Sequence, residues 1–232
     1  KWHSYDNALE FIKENPGIEK AFAEYNSGGA SPVYYEAKAA TLEGVYNSIL
    51  KSIREDAVLF AKIDRQYVLG MEKAVNMLST APLGEFSINT FCSALGLKKH
   101  VTYELIDLLG KMRVLRMVQP YSESFAGHRK EPKLMFFHPL FRQAIARSVG
   151  VKPGTGALRE ELAVFALAER GYSVYTIKGS KKSPDYVAVK GHEKILVEVG
   201  GEGKSSAQLN LPVKVHRKIL LKEKQFMPLL MY

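Results

Sequence analysis

The chain has 232 residues and a single cysteine, Cys92, which excludes an internal disulfide and a cysteine-based zinc site and fits a reducing cytosol. Within FCSALGL it reads as a small buried apolar residue and not as a nucleophile. No apolar run approaches the roughly 20 residues that a membrane helix needs. The opening KWHSYDNALE lacks both the apolar stretch of a signal peptide and an initiator methionine. The expectation is a cytoplasmic protein with no membrane partner, trimmed from a longer polypeptide. Internal repeats and low-complexity segments are missing too, and the histidines are scattered without metal-ligand spacing. Acidic groups are in deficit, 24 against 33 Lys and Arg.

That deficit is uneven. Residues 1–60 carry 6 basic and 9 acidic groups, 61–150 carry 13 and 7, and 151–232 carry 14 and 8. Whatever attracts anions lies beyond the first quarter, and nucleic acid is the first partner such a distribution calls for.

Apolar residues at helical spacing from Ser4 to Tyr25, broken at Asn15-Pro16-Gly17, predict two short helices. Asn26 to Pro32 reads as a loop. Helices are expected from about Glu36 to Lys51 and from Asp64 to Leu78, the second with Asp64 as its cap. Ser87 caps a short helix to about Ala94, Leu95-Gly96-Leu97 turns, and Lys98 to Lys111 forms a second helix. VLRMVQPY and KLMFFHP then read as two strands around the polar loop SESFAGHRKE. This order is that of a winged helix-turn-helix, which sets its second helix in a DNA major groove and a basic wing on the backbone. Lys98, Lys99 and His100 at that helix start, with Arg129 and Lys130 in the loop, are the candidate DNA contacts. His138 before Pro139 reads as a strand-to-helix junction.

Ser148 to Gly156 is a linker by composition. Beyond it the order is a helix ALREELAVFALAERG, strands YSVYTIK, DYVAVK and KILVEV, a helical stretch from about Ser205 to Lys222, and FMPLLMY as a last strand. The expected boundaries are 1–60 for a helical segment, 61–150 for the winged helix and 151–232 for the final domain. The basic turn KGSKKS, with Lys178, Lys181 and Lys182, is a further candidate for phosphate contact.

ILVEVGGEGKSS holds the end of a phosphate-cradling loop, Gly203-Lys204-Ser205, but the position five before Gly203 is Glu198, where the pattern needs glycine. That reading fails. The alternative begins with Asp185 at the start of one strand and Glu198 near the end of the next. In an antiparallel hairpin those ends adjoin, so both carboxylates converge on one hard divalent cation, Mg²⁺ or Mn²⁺. Glu160 or Glu161, one helix earlier, supplies a third carboxylate.

Residues 156–210 resemble the restriction-endonuclease-like PD-(D/E)xK superfamily. Pro184-Asp185 stands as the PD, Glu198-Val199-Gly200 as the (D/E)xK triplet, Glu160 as the acidic residue of the first helix and Gln208 as the glutamine after the core. Gly200 replaces the motif lysine. The order of elements upstream is similar to the C-terminal half of a group of archaeal and bacterial AAA+-type ATPases. The resemblance implies an α+β protein: a helical N-terminal segment, a winged helix-turn-helix and a restriction-endonuclease-like domain. It implies a DNA-binding part of an ATPase, with ATP bound only by an upstream module of the same polypeptide. The missing lysine makes a catalytically degenerate domain the leading expectation. The alternatives are an active Mg²⁺-dependent endonuclease, with Lys204 reaching back to join Asp185, Glu198 and Glu160, and a protein-interaction scaffold without DNA binding.

Overall fold

A computed structural model describes residues 5–61, 64–84, 87–122, 131–177, 183–201, 203–209 and 215–222. The architecture is mixed α+β, with helices prevailing up to Glu169 and short strands forming one two-stranded and one four-stranded sheet. The residues group into two compact units. One comprises Tyr25–Met117 and Lys133–Leu158, the other Lys1–Glu24, Val118–Pro132 and Arg159–Tyr232. Among the described residues no helix is long and apolar enough to cross a membrane.

Helices α1 (Tyr5–Glu14) and α2 (Gly17–Glu24) flank Asn15 and Pro16 as expected. The single helix expected over Glu36–Lys51 is instead three pieces: α3 (Val33–Glu36), a 3₁₀ turn at Lys38–Ala40 and α4 (Thr41–Lys51). The break falls at Ala37, whose backbone leaves the helical region at φ −147 and ψ 74. Beside it, buried Tyr34 and Thr41 pack on Gly28, which sits at φ 140 and where a Cβ would meet Tyr34 Cδ2 at 2.8 Å and Thr41 Cγ2 at 3.1 Å.

Helices α5 (Ala57–Ala61) and α6 (Arg65–Thr80) follow. Asp64 occupies the cap position of α6 in extended backbone, but its side chain makes no capping hydrogen bond, so that part of the expectation is corrected. Ser87 does cap α7 (Ile88–Leu95), its Oγ accepting from Thr90 N–H at 3.1 Å. Left-handed Gly96, φ 65, ends the helix, with Leu97 N–H donating to the Cys92 carbonyl at 3.0 Å. Helix α8 (Lys99–Lys111) then leads into strand β1 (Leu115–Val118), which pairs with β2 (Lys133–Phe136). Helix α9 (Pro139–Ser148) closes the unit. Ile53, Met71, Leu78, Phe91, Leu109 and Phe136 form the centre of its core.

Two buried polar side chains hold helix ends in this core. Arg142 of α9 is fully buried, and its Nη1 donates to the carbonyls of Leu78, Ser79 and Ala81 at 2.6, 3.1 and 3.1 Å. It thus satisfies the unpaired carbonyls, and the negative dipole end, of α6. His138 caps α9: Nδ1 accepts from Leu140 N–H at 3.1 Å, and Nε2 lies 2.9 Å from the Tyr25 hydroxyl. Because Nδ1 is the acceptor, the neutral ring carries its proton on Nε2 and donates it to Tyr25.

In the second unit, α10 (Thr155–Glu169) precedes β3 (Ser173–Thr176), β4 (Tyr186–Lys190) and β5 (Glu193–Val199), which run antiparallel in sequence. The helix expected from Ser205 to Lys222 is corrected. Among the described residues of that span only Ser206–Leu209 is helical, as a 3₁₀ turn, and Arg217–Leu221 is strand β6, parallel to β5. Apolar residues at 215, 219 and 220 suit either period, and pairing with a buried neighbour strand decides the outcome. Ile219 and Leu221 stand beside Val197 and Val199. The strand expected in FMPLLMY lies outside the described residues.

Burial lowers the His138 pKa from 6.5 to about 4. The unfolded chain therefore takes up a proton that the folded chain refuses, and stability is present above pH 6.5 and lost as pH falls toward 4. The expected contribution is roughly 3 kcal/mol. Urea unfolding across this window should show the loss, and His138→Asn, which keeps a capping acceptor without a titrating ring, should flatten it. An equally steep curve in the variant would assign the loss to other groups.

Candidate functional site

Strands β4 and β5 are joined by a two-residue turn in which Gly191 has φ 57, the left-handed geometry that tight hairpins favour and glycine supplies. The turn sets the register: Lys190 lies opposite Glu193, and the ladder continues to Tyr186 opposite Val197. One step further, Asp185 lies opposite Glu198 on the same face. A slip of one residue would send them to opposite faces. The pair is locked reciprocally. Asp185 N–H donates to Glu198 Oε2 at 3.1 Å, and Val199 N–H donates to Asp185 Oδ2 at 2.9 Å.

Glu198 is completely buried. Lys204 Nζ stands 2.6 Å from its Oε1, with the lysine side chain 34% exposed. With its amide nitrogen turned toward the site, Gln208 of the 3₁₀ turn donates to both Glu198 oxygens. The buried carboxylate thus has an ammonium, an amide and a backbone N–H around it, the partners such a group requires.

Lys204 arrives there through the space a side chain at position 200 would occupy. A Cβ built on Gly200 falls on Lys204 Cβ and Cγ and lies 2.9 Å from Cδ. Lys204 N–H donates to the Gly201 carbonyl at 3.0 Å, and Gly200 N–H to the Leu221 carbonyl at 3.0 Å. The bare position 200 and the course of Lys204 are therefore one spatial fact. A side chain at the first would exclude the stem of the second.

Glu160, on α10, accepts from the Tyr186 hydroxyl at 2.5 Å. Burial, then the Glu160 carboxylate, push the Tyr186 phenol well above its usual pKa. The Asp185 carboxyl is pushed up to about 6, first by burial and then by the charges of Glu160 and Glu198, against the Val199 hydrogen bond and Lys204. Of the two candidate glutamates, Glu160 is the one whose charge acts on Asp185. Glu161 is also fully buried. The Lys204 ammonium is favoured: burial opposes it, but its hydrogen bond to Glu198 and the charges of Asp185, Glu198 and Glu160 outweigh that.

This carboxylate excess suits a cation. Asp185 and Glu198 are the side chains that could hold a small hard divalent ion, which takes one or two protein carboxylates and completes its sphere with water. Among the described residues no three His, Cys, Asp or Glu side chains form a metal-binding group. Glu160, held by Tyr186, thus stands beside the pair and does not close a third corner.

The candidate DNA contacts Lys98, Lys99 and His100 are exposed at the start of α8. Lys98 holds the cap position without a side-chain capping bond. Arg129, Lys130, Lys178, Lys181 and Lys182 lie outside the described residues. Sequence reasoning missed Tyr186, the donor to Glu160, and Arg159, whose guanidinium lies against Gly201. The available signal was the paired glycine directly after a strand.

The chain is similar to an uncharacterized protein of Methanocaldococcus jannaschii, 26% identical over 174 residues that make up 71% of this chain and 36% of that protein. The match spans about a third of the relative's length. No family model matches the chain, and no solved structure matches it.

Gly200→Ala should cost about 1–3 kcal/mol, because the new methyl meets the inner stem of Lys204 and not its flexible end. In a Lys204→Gly background the same change should cost much less, a non-additivity that urea unfolding of the four proteins measures. Equal costs in both backgrounds would show that the stem does not run over Gly200.

Proposed function

We propose that the unit containing β3–β6 is a metal-dependent phosphodiester-cleaving domain of the restriction-endonuclease type, acting on DNA. Lys204 stands in for the lysine absent at position 200. The observation that carries this reading is the path of Lys204: its stem fills the place of a residue-200 side chain, and its ammonium ends 2.6 Å from Glu198. An ammonium in that place supplies the charge whose absence from position 200 counted against activity. The degenerate reading, first choice on the motif alone, therefore gives way to the active one.

The order of elements supports the same assignment. A helix bearing Glu160, three antiparallel strands bearing Asp185 and Glu198, a turn bearing Gln208 and a parallel fourth strand follow one another. A Mg²⁺ or Mn²⁺ ion bound at Asp185 and Glu198 would supply Lewis-acid stabilisation of phosphate charge and a water acidified for attack. The protein's own part is positional. The reciprocal backbone bonds fix both carboxylates, and Gln208 orients Glu198. Lys204 sets a positive charge beside them, where negative charge grows on the non-bridging oxygens in the transition state. Tyr186 holds Glu160 in place.

The helix–turn–helix pair α7 and α8, followed by the β1–β2 ribbon, supports a winged-helix reading for the other unit. Exposed Lys98, Lys99 and His100 at an uncapped helix start are suited to a DNA backbone. In this proposal the chain is the DNA-handling part of a polypeptide whose ATPase module, like that of the group it resembles, would be a separate segment.

Purified protein with Mg²⁺ or Mn²⁺ should nick supercoiled plasmid, and chelator should stop it. Lys204→Ala should reduce the rate at least about 100-fold, and Asp185→Ala should abolish it. Cleavage surviving in both variants would come from a contaminant, and cleavage reduced by Asp185→Ala alone would remove Lys204 from the reading.

A further inference from the structure

The loop leaving β5 carries two successive glycines, and each makes room for a different cation. At Gly200 the occupant is the Lys204 stem. At Gly201 it is Arg159, since a Cβ there would lie 3.2 Å from Nη1, 3.7 Å from Cζ and 3.8 Å from Nη2 of its guanidinium. Neither glycine has a positive φ, so the backbone does not demand glycine at these positions. At position 200 the crossing stem does, while at 201 an added Cβ makes a tight contact with the guanidinium tip.

Arg159 immediately precedes Glu160 on α10. The helical turn that sets Glu160 beneath the Tyr186 hydroxyl also aims the guanidinium at the end of β5. Lys204 and Arg159 thus approach adjacent residues of the loop that leaves β5, the first reaching Glu198 and the second lying against Gly201. The two cations differ chemically. An ammonium is a compact point charge, while a guanidinium is a planar fork that matches two oxygens of one phosphate.

We infer that Arg159 is a substrate-binding residue of this site: its guanidinium grips a backbone phosphate of duplex DNA next to the phosphate that Lys204 and the two carboxylates receive. The inference rests on the phosphodiesterase reading for its location and extends it to how the strand is held. The arginine fixes register along the backbone, and the lysine serves the bond being cut. Gly200 is then a requirement of Lys204, and a bulky side chain at Gly201 crowds the guanidinium.

The test is anisotropy titration of a short fluorescent DNA duplex with the full chain, in chelator, over a range of salt. Arg159→Met should weaken binding about 10-fold and reduce the log–log salt slope by about one, as expected when the protein neutralises one phosphate fewer. Arg159→Lys should keep the slope. Gly201→Leu retains every charge but fills the guanidinium's place, and it should weaken binding as Arg159→Met does. Wild-type affinity and slope in Arg159→Met would overturn the inference, as would wild-type affinity in a folded Gly201→Leu protein. The two proposals fail separately. Weakened binding in Arg159→Met, with no cleavage by the wild-type chain, keeps the arginine–phosphate pairing and discards the nuclease reading. Lys204-dependent cleavage with unaltered binding in Arg159→Met does the reverse.

Discussion

The second unit is organised around one buried charge. Glu198 has no exposed surface, and an ionised carboxylate in such a place is tolerated only when paired and hydrogen-bonded. The donors come from three separate parts of the chain: the backbone of the facing strand at Asp185, the ammonium of Lys204 in the loop, and the amide of Gln208 beyond it. Satisfying this group dictates where the chain goes after β5. It has to fold back over its own end, which is possible only because Gly200 leaves room. In the proposed reaction the charge that costs stability to bury is also the one with a chemical use, a pattern typical of functional sites.

The other unit meets the same constraint without such a cluster. Arg142 is as deeply buried as Glu198, but its donors end on three carbonyls at the close of α6, a helix end that needs them. His138 likewise spends its ring on the start of α9 and on Tyr25. These polar groups terminate helices, and each contacts groups that would otherwise be unpaired. Around Glu198 and Asp185, by contrast, like charges are brought together and the Asp185 pKa is pushed up to about 6 by burial, Glu160 and Glu198. Gathering carboxylates in this way raises their energy, and the contrast between the two units is the physical argument behind the chemistry proposed for one of them.

Much of the site was legible in the sequence. Alternating apolar residues on both sides of a Gly-His turn specify a hairpin, and the register then makes Asp185 and Glu198 neighbours by arithmetic. Glu160 or Glu161 is legible as a third carboxylate one helix earlier, with the resemblance favouring Glu160 and adding Gln208, and Lys204 is legible through the reach of its ammonium; Glu160, Gln208 and Lys204 stand around that pair. The less legible parts depended on neighbours distant in the chain. Arg217–Leu221 has an apolar spacing compatible with helix or strand, and only the unfilled edge of β5 makes it a strand. The break before Thr41 falls at Ala37, an alanine among helix formers, so no local propensity expresses it. Tyr186 and Arg159 gave no signal as single residues. Their meaning comes from what faces them, Glu160 in one case and a glycine in the other.

The central claim is that one ammonium position beside Glu198 matters, whichever residue delivers it. The direct measurement is the cleavage rate of the double variant Gly200→Lys with Lys204→Gly, which moves the lysine to the motif position while clearing the stem that would clash with it. The account predicts that the double variant regains a large part of the activity missing in Lys204→Gly alone, while Gly200→Lys alone is impaired. A double variant no better than Lys204→Gly, although folded, would contradict it.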